Sequence, residues 1–213
     1  MEIIIINSNN FLRVDVNELQ ENLFEYGLDL RKVDSILGYL TVIQYMKKKL
    51  INPTILFDNN GKPYCKESPI KFNISHSNDI VVCAFSEVEI GIDVEYINFQ
   101  NKEICNIYSL VLSNTELLEI HLLSEQKDRI HYFYQLWCCK ESYVKKIGIG
   151  LKKKFSDIDI KKILPEEVCF SEIRLDDHYY CVACTDTVES IQTIEIRNFN
   201  QWKLEMGLTG VTV

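Results

Sequence analysis

The chain mixes helix-forming and strand-forming segments, and three observations carry that reading. Ile80-Val81-Val82-Cys83-Ala84-Phe85 is a short unbroken apolar run, the mark of a buried strand. Just after it, Ile90, Ile92 and Val94 alternate with Gly91, Asp93 and Glu95, a period of two that predicts a second strand. The stretch from Phe133 to Ile147 lacks proline and meets its first glycine at Gly148, which predicts a helix stopping there.

Taken in order, Ile3 to Ile6 is β-branched and opens the fold as a strand. Asn17 is a candidate cap for a short helix running through Tyr26 to Gly27. Val33 to Leu50 reads as a longer helix with Ile36, Leu37, Leu40, Ile43 and Met46 on its inner face. Lys47, Lys48 and Lys49 sit at its end, where the negative pole of the helix dipole accounts for them as a solvated terminus. Asn59-Asn60-Gly61-Lys62-Pro63 is a turn by composition. Ser113 followed by Glu116 is a capping-box pattern, and Ser124-Glu125-Gln126 marks the start of the long helix that ends at Gly148. Beyond Phe155, Ser156 to Ile160, Val168 to Ile173, Tyr179 to Thr185 and Ile191 to Ile196 read as short strands. Trp202 to Val213 shows no period and reads as a loose tail.

Composition narrows the classes. At 213 residues, 46% hydrophobic and 25% charged, the chain can bury a good core as one large domain or two smaller halves. A net charge of −8 argues against nonspecific nucleic-acid binding. The eight cysteines are scattered. Cys181-Val182-Ala183-Cys184 forms a C-x-x-C with no second pair, so it reads as buried thiols in a strand rather than a metal or redox site. Reduced thiols, a first segment without a signal peptide's basic region, and no segment of membrane-spanning length together predict a cytoplasmic protein with no membrane association.

The chemistry is concentrated in a few residues. Asp93 and Glu95 share one strand face and could share a hard cation, although two such acids also read as a solvated outer face. Trp137, Glu141 and Lys145 recur every four residues on one helix face. Glu141 could give that cation a third oxygen, with Lys145 a phosphate partner one turn on; a Glu–Lys pair at this spacing is also an ordinary surface stabiliser.

Together, Phe72-Asn73-Ile74-Ser75-His76-Ser77, Gly91-Ile92-Asp93-Val94-Glu95 and Trp137 to Lys145 with Gly148 to Leu151 resemble the F-N-x-S-H-S, G-I-D-x-E and W-x-x-K-E-S-x-x-K…G-x-G-L blocks of the Sfp-type 4′-phosphopantetheinyl transferases, in the same order and at the family's spacing. The resemblance implies an α+β fold of two similar, pseudo-symmetric halves, each a small antiparallel sheet packed with helices, with the active site in the cleft between them. It divides the chain into residues 1–96, carrying the coenzyme A-binding residues, and 97–213, carrying the metal and catalytic helix and the carrier-docking surface. It implies transfer of the 4′-phosphopantetheine arm of coenzyme A to a serine of an acyl or peptidyl carrier protein, with release of 3′,5′-ADP, by a monomer. Mg²⁺ would be held by Asp93, Glu95 and Glu141, with Lys145 at the phosphate and Glu141 or Glu116 as the base.

Coenzyme A itself would be met by Lys62 in the G-K-P turn and by Ser75 and His76. The family's basic residue and hydroxyl ahead of its L-L-G-like segment stand here as Asp34-Ser35, before Ile36-Leu37-Gly38. Ser35 keeps the hydroxyl, and Arg31 with Lys32 one turn earlier would have to compensate for the missing base. Trp137 reads as core packing. The competing readings are another Mg²⁺-dependent phosphate-transfer enzyme or hydrolase, and an inactive coenzyme A- or carrier-binding module.

Overall fold

The computed structural model describes residues 1–11, 16–150, 153–163, 168–187, 190–196, 198, 201, 202 and 204. It divides into two compact units, Met1–Val88 with Ser190–Val213, and Glu89–Glu189. This partition differs from the expected division after residue 96, and strand pairing explains it. The strand carrying Asp93 pairs within the second unit, and the last strand returns to pair with the first.

In the first unit, β1 (Glu2–Asn7) lies between β5 (Ile80–Ser86) and β9 (Gln192–Ile196), and β4 (Lys71–Ser77) completes the order β4-β5-β1-β9. The β4–β5 and β5–β1 ladders are antiparallel, but β1 and β9 run parallel, so this sheet is mixed where the family resemblance implied an antiparallel one. Ile3 to Ile6 are all buried, as a central strand of β-branched residues requires. Helix α2 (Val33–Lys48) packs on β4 and β5 with Ile36, Leu37, Leu40, Ile43 and Met46 buried, as the periodicity predicts. Gly38 makes that packing possible: a Cβ there would come within 2.8 Å of Ile74 Cγ2. At the end of α2, Lys49 bonds Glu2 at 2.8 Å.

Two expectations change in this unit. Helix α1 covers Val16–Phe24, so Asn17 lies inside it rather than capping it, and Gly27 at φ +71° closes the turn. Trp202 is no loose tail. It is 1% exposed, donates from Nε1 to Thr41 Oγ1 at 2.9 Å and meets Phe11 edge-on, because an indole offers the core both area and a donor. The rest of that tail, residues 203 and 205–213, lies outside the described residues. A two-stranded ribbon of β2 (Ile55–Phe57) and β3 (Pro63–Cys65) follows α2.

The second unit is an antiparallel sheet in the order β6 (Gly91–Tyr96), β8 (Tyr179–Thr185), β7 (Cys169–Ile173), with the long helix α5 (Gln126–Ile147) packed on β6 and β8. Gly148 ends α5 in the left-handed region at φ 66°. Short helices α3 (Tyr108–Val111) and α4 (Asn114–Leu122) precede α5, and α6 (Ile160–Ile163) follows it. The run Ser156 to Ile160 is not a strand: Phe155–Asp157 forms a 3-10 turn leading into α6. Its alternating Ile158 and Ile160 are both buried, and Asp159 accepts from the Lys161 N–H to start the helix. All eight cysteines are free thiols; Cys181 and Cys184 are buried in β8, and burial pushes the Cys184 thiol up to about 12. The whole chain is thus α+β. Among the described residues, no helix is long and apolar enough to cross a membrane.

Candidate active site

The alternation read in β6 holds, but the face bearing the acids is not the solvated one. Gly91, Asp93 and Glu95 face α5. A Cβ on Gly91 would stand 1.9 Å from the Ser142 carbonyl oxygen and 2.5 Å from the Lys146 nitrogen, both helix backbone atoms. The bare glycine therefore lets strand and helix backbones touch. The two residues that follow it on this face, Asp93 and Glu95, meet the helix face read from the sequence. Lys145 Nζ donates to Asp93 Oδ1 at 2.6 Å, and Trp137 Nε1 donates to Glu95 Oε1 at 2.9 Å.

Electrostatics ties the third acid to the other two. Burial pushes the Glu141 pKa up; Lys145 pulls it back, and the charges of Asp93 and Glu95 push it further up. Burial works against the Lys145 ammonium, but Asp93, by charge and hydrogen bond, and then Glu141 hold its pKa above the usual lysine value. Asp93 is 2% exposed, and a carboxylate so buried needs a cation beside it. Here that cation is Lys145. Among the described residues no three His, Cys, Asp or Glu side chains are gathered as a ready metal cage. The donor chemistry nonetheless fits a hard divalent ion, since three carboxylates that repel one another are relieved by positive charge and supply only oxygen.

Glu116 and Lys140 form a second, fully enclosed pair, both 0% exposed and 2.5 Å apart. Glu116 completes the capping box of α4: Ser113 N–H donates to its Oε2 at 2.7 Å, and Glu116 N–H donates to Ser113 Oγ. Ile160 N–H donates to its Oε1, and Lys140 adds donation to the carbonyls of Val111 and Phe155. Lys140, the residue before Glu141, thereby fixes that turn of α5 to three neighbouring segments. Sequence reasoning found no role for it, because a lysine inside a helix carries no signal of burial. Lys146 is tied similarly, to Asp186 at 2.5 Å.

The remaining candidates lie in the first unit. Ser75 and His76 are neighbours on β4 and point to opposite faces, Ser75 buried and His76 exposed. Lys62 follows Gly61 (φ +85°) in a turn whose Asp58 accepts from the Lys62 N–H at 2.8 Å. Arg31 is exposed just before α2, and Ser35 is half-buried in its first turn. Leu151, the last residue of the G-x-G-L block, lies outside the described residues.

Residues 89–203 match the 4′-phosphopantetheinyl transferase superfamily. The chain is 31% identical over 191 residues to the 4′-phosphopantetheinyl transferase gsp of Aneurinibacillus migulanus, covering 83% of this chain and 78% of that relative. It is 36% identical over 102 residues to the 4′-phosphopantetheinyl transferase Sfp of Bacillus subtilis (strain 168), covering 47% and 44%. It is 27% identical over 151 residues to the human L-aminoadipate-semialdehyde dehydrogenase-phosphopantetheinyl transferase, covering 59% and 48%. The family model and the relatives agree on the class, a transferase enzyme. The chain belongs to the 4′-phosphopantetheinyl transferase superfamily.

Proposed function

We propose that this protein transfers the 4′-phosphopantetheine arm of coenzyme A to a serine of an acyl or peptidyl carrier protein, with Mg²⁺, acting as a monomer. The observation that carries the reading is the junction of β6 and α5, where the G-I-D-x-E and W-x-x-K-E-S-x-x-K segments meet through Asp93 and Lys145 at 2.6 Å. In the reaction the serine oxygen forms a bond to the β-phosphorus of coenzyme A. The bond from that phosphorus to the bridging oxygen breaks, and 3′,5′-ADP departs with the electron pair. Such a transfer needs negative charge neutralised and the nucleophile aligned.

Lys145 supplies fixed positive charge to the phosphate. Glu141 takes the proton of the serine hydroxyl, directly or through a water. Asp93, Glu95 and Glu141 would hold the Mg²⁺, which when bound supplies charge neutralisation at the pyrophosphate. Glu116, enclosed and bonded through both oxygens, serves as support for the Lys140 turn rather than as a base. Lys62, Ser75, His76, Arg31 and Ser35 are the candidate contacts for coenzyme A. Intact-mass spectrometry of a panel of apo carrier proteins incubated with coenzyme A and Mg²⁺ tests the proposal. Addition of one phosphopantetheine is expected, and no addition to any carrier would overturn it.

A further inference from the structure

We propose that Trp137 is a positioning residue that sets the carboxylate of Glu95 for a divalent cation, an inference that rests on the metal reading above. Its Nε1–H donates to Glu95 Oε1 at 2.9 Å. The indole is itself held in place, stacked on Phe133 at 6.1 Å between ring centroids and tilted against Phe155 at 5.4 Å. Trp137 is only half-buried, so its N–H could have turned to solvent as readily as to a protein acceptor. Here the acceptor is one of the three acids themselves.

The space around Glu95 shows why a fixed donor matters. A cavity of about 310 Å³ opens beside it, lined by Glu95 and Trp137 with Ile107 and Phe133 and the polar Asn101 and Glu103. Glu95 is only half-buried, near the outer end of β6, and the repulsion it shares with Glu141 favours a rotation that takes its charge away from that acid. The open cavity gives such a rotation room. A hydrogen bond from a rigid indole opposes it, fixing the carboxylate plane while adding no charge. Donors that orient a metal ligand in this way commonly change metal affinity about 10–100-fold when removed.

The chain has two tryptophans, so ¹⁵N-labelled protein shows two indole N–H resonances. Trp137→Phe identifies the site's resonance by removing it while keeping an aromatic ring against Phe133 and Phe155. Without any metal, Glu95→Gln should move that resonance and leave the one from Trp202 in place. Mn²⁺ then serves as the spectroscopic probe, with the free ion counted by electron paramagnetic resonance. Trp137→Phe should weaken Mn²⁺ binding about 10–100-fold, Trp202→Phe should not, and Glu95→Gln with Trp137→Phe should bind no more weakly than Glu95→Gln alone. An unmoved resonance in Glu95→Gln, an affinity of Trp137→Phe within about twofold of wild type, or additive losses in the double variant would each overturn the proposal. Failure of the wild-type protein to take up Mn²⁺ would overturn it together with the metal reading, so the two failures are told apart by the wild-type titration.

Discussion

Replacing Lys140 with methionine isolates the strongest structural commitment in the second unit. The ammonium is 0% exposed and donates to Glu116 Oε2 at 2.5 Å, Val111 O at 2.7 Å and Phe155 O at 3.1 Å. Methionine fills a similar volume, so the loss is the charge and its bonds, not a cavity. What remains is a buried Glu116 carboxylate with no cation and two carbonyls without this donor. Breaking a buried pair from one side typically costs about 3–5 kcal/mol. For a chain of this size that is a drop in midpoint of roughly 6–20 °C. Adding Glu116→Gln to Lys140→Met removes the stranded charge but disturbs one acceptor for Ser113 or Ile160, so about 1–2 kcal/mol should return. Urea unfolding followed by circular dichroism measures all three proteins. A loss below about 1 kcal/mol for Lys140→Met, or a double variant no more stable than the single one, would refute the reasoning.

Glu141→Gln should separate stability from activity. Folding raises the Glu141 pKa, so the folded state holds that proton more tightly, and stability falls as pH rises from the unfolded value near ~4.3 through the folded one. The amide escapes that cost, so the thermal midpoint at neutral pH should rise while carrier modification falls about 10²-fold or more; a lower midpoint would count against it. Lys145 titrates at the other end of the scale. Its pKa is raised, so its stabilisation is complete below the unfolded value near ~10.4 and lost as pH climbs through the folded one. Wild type should therefore lose stability above that pH more steeply than Lys145→Met, and parallel curves would be inconsistent. Gly91→Ala should cost at least about 1–3 kcal/mol, since its Cβ would lie 1.9 Å from a helix carbonyl; an unchanged midpoint would show the contact to be soft. His76→Ala and Lys62→Ala should raise the KM for coenzyme A with folding intact, and an unaltered KM would remove those residues from the coenzyme A contact.

Much of this was legible in the sequence where a local rule and a tertiary requirement agree. The long helix ends at Gly148 because glycine takes the left-handed conformation there without strain, and the capping box of Ser113 and Glu116 is satisfied in both directions. The period of two correctly separated the acids of β6 from Ile92 and Val94. Hydropathy could not reveal that the acidic face lies under a helix, because it scores a buried, paired aspartate and a solvated one alike. The same blindness hid Lys140, whose burial depends on acceptors from Glu116, Val111 and Phe155, remote in sequence. Gly91 was visible as a letter of a motif, but its reason, a backbone-to-backbone approach, exists only once α5 is in place. Ser156 to Ile160 misled because alternating burial over so few residues does not distinguish a strand from a 3-10 turn entering a helix. Trp202 misled because its partners, Phe11 and Thr41, lie far away along the chain.

The most direct test counts both products of the reaction at once, 3′,5′-ADP by chromatography and holo-carrier by intact mass, in the presence and absence of apo carrier. A transferase of the kind proposed gives the two in equal amounts and releases no nucleotide without an acceptor. Nucleotide release that runs on without any carrier would instead describe a hydrolase, and the proposed function would fall.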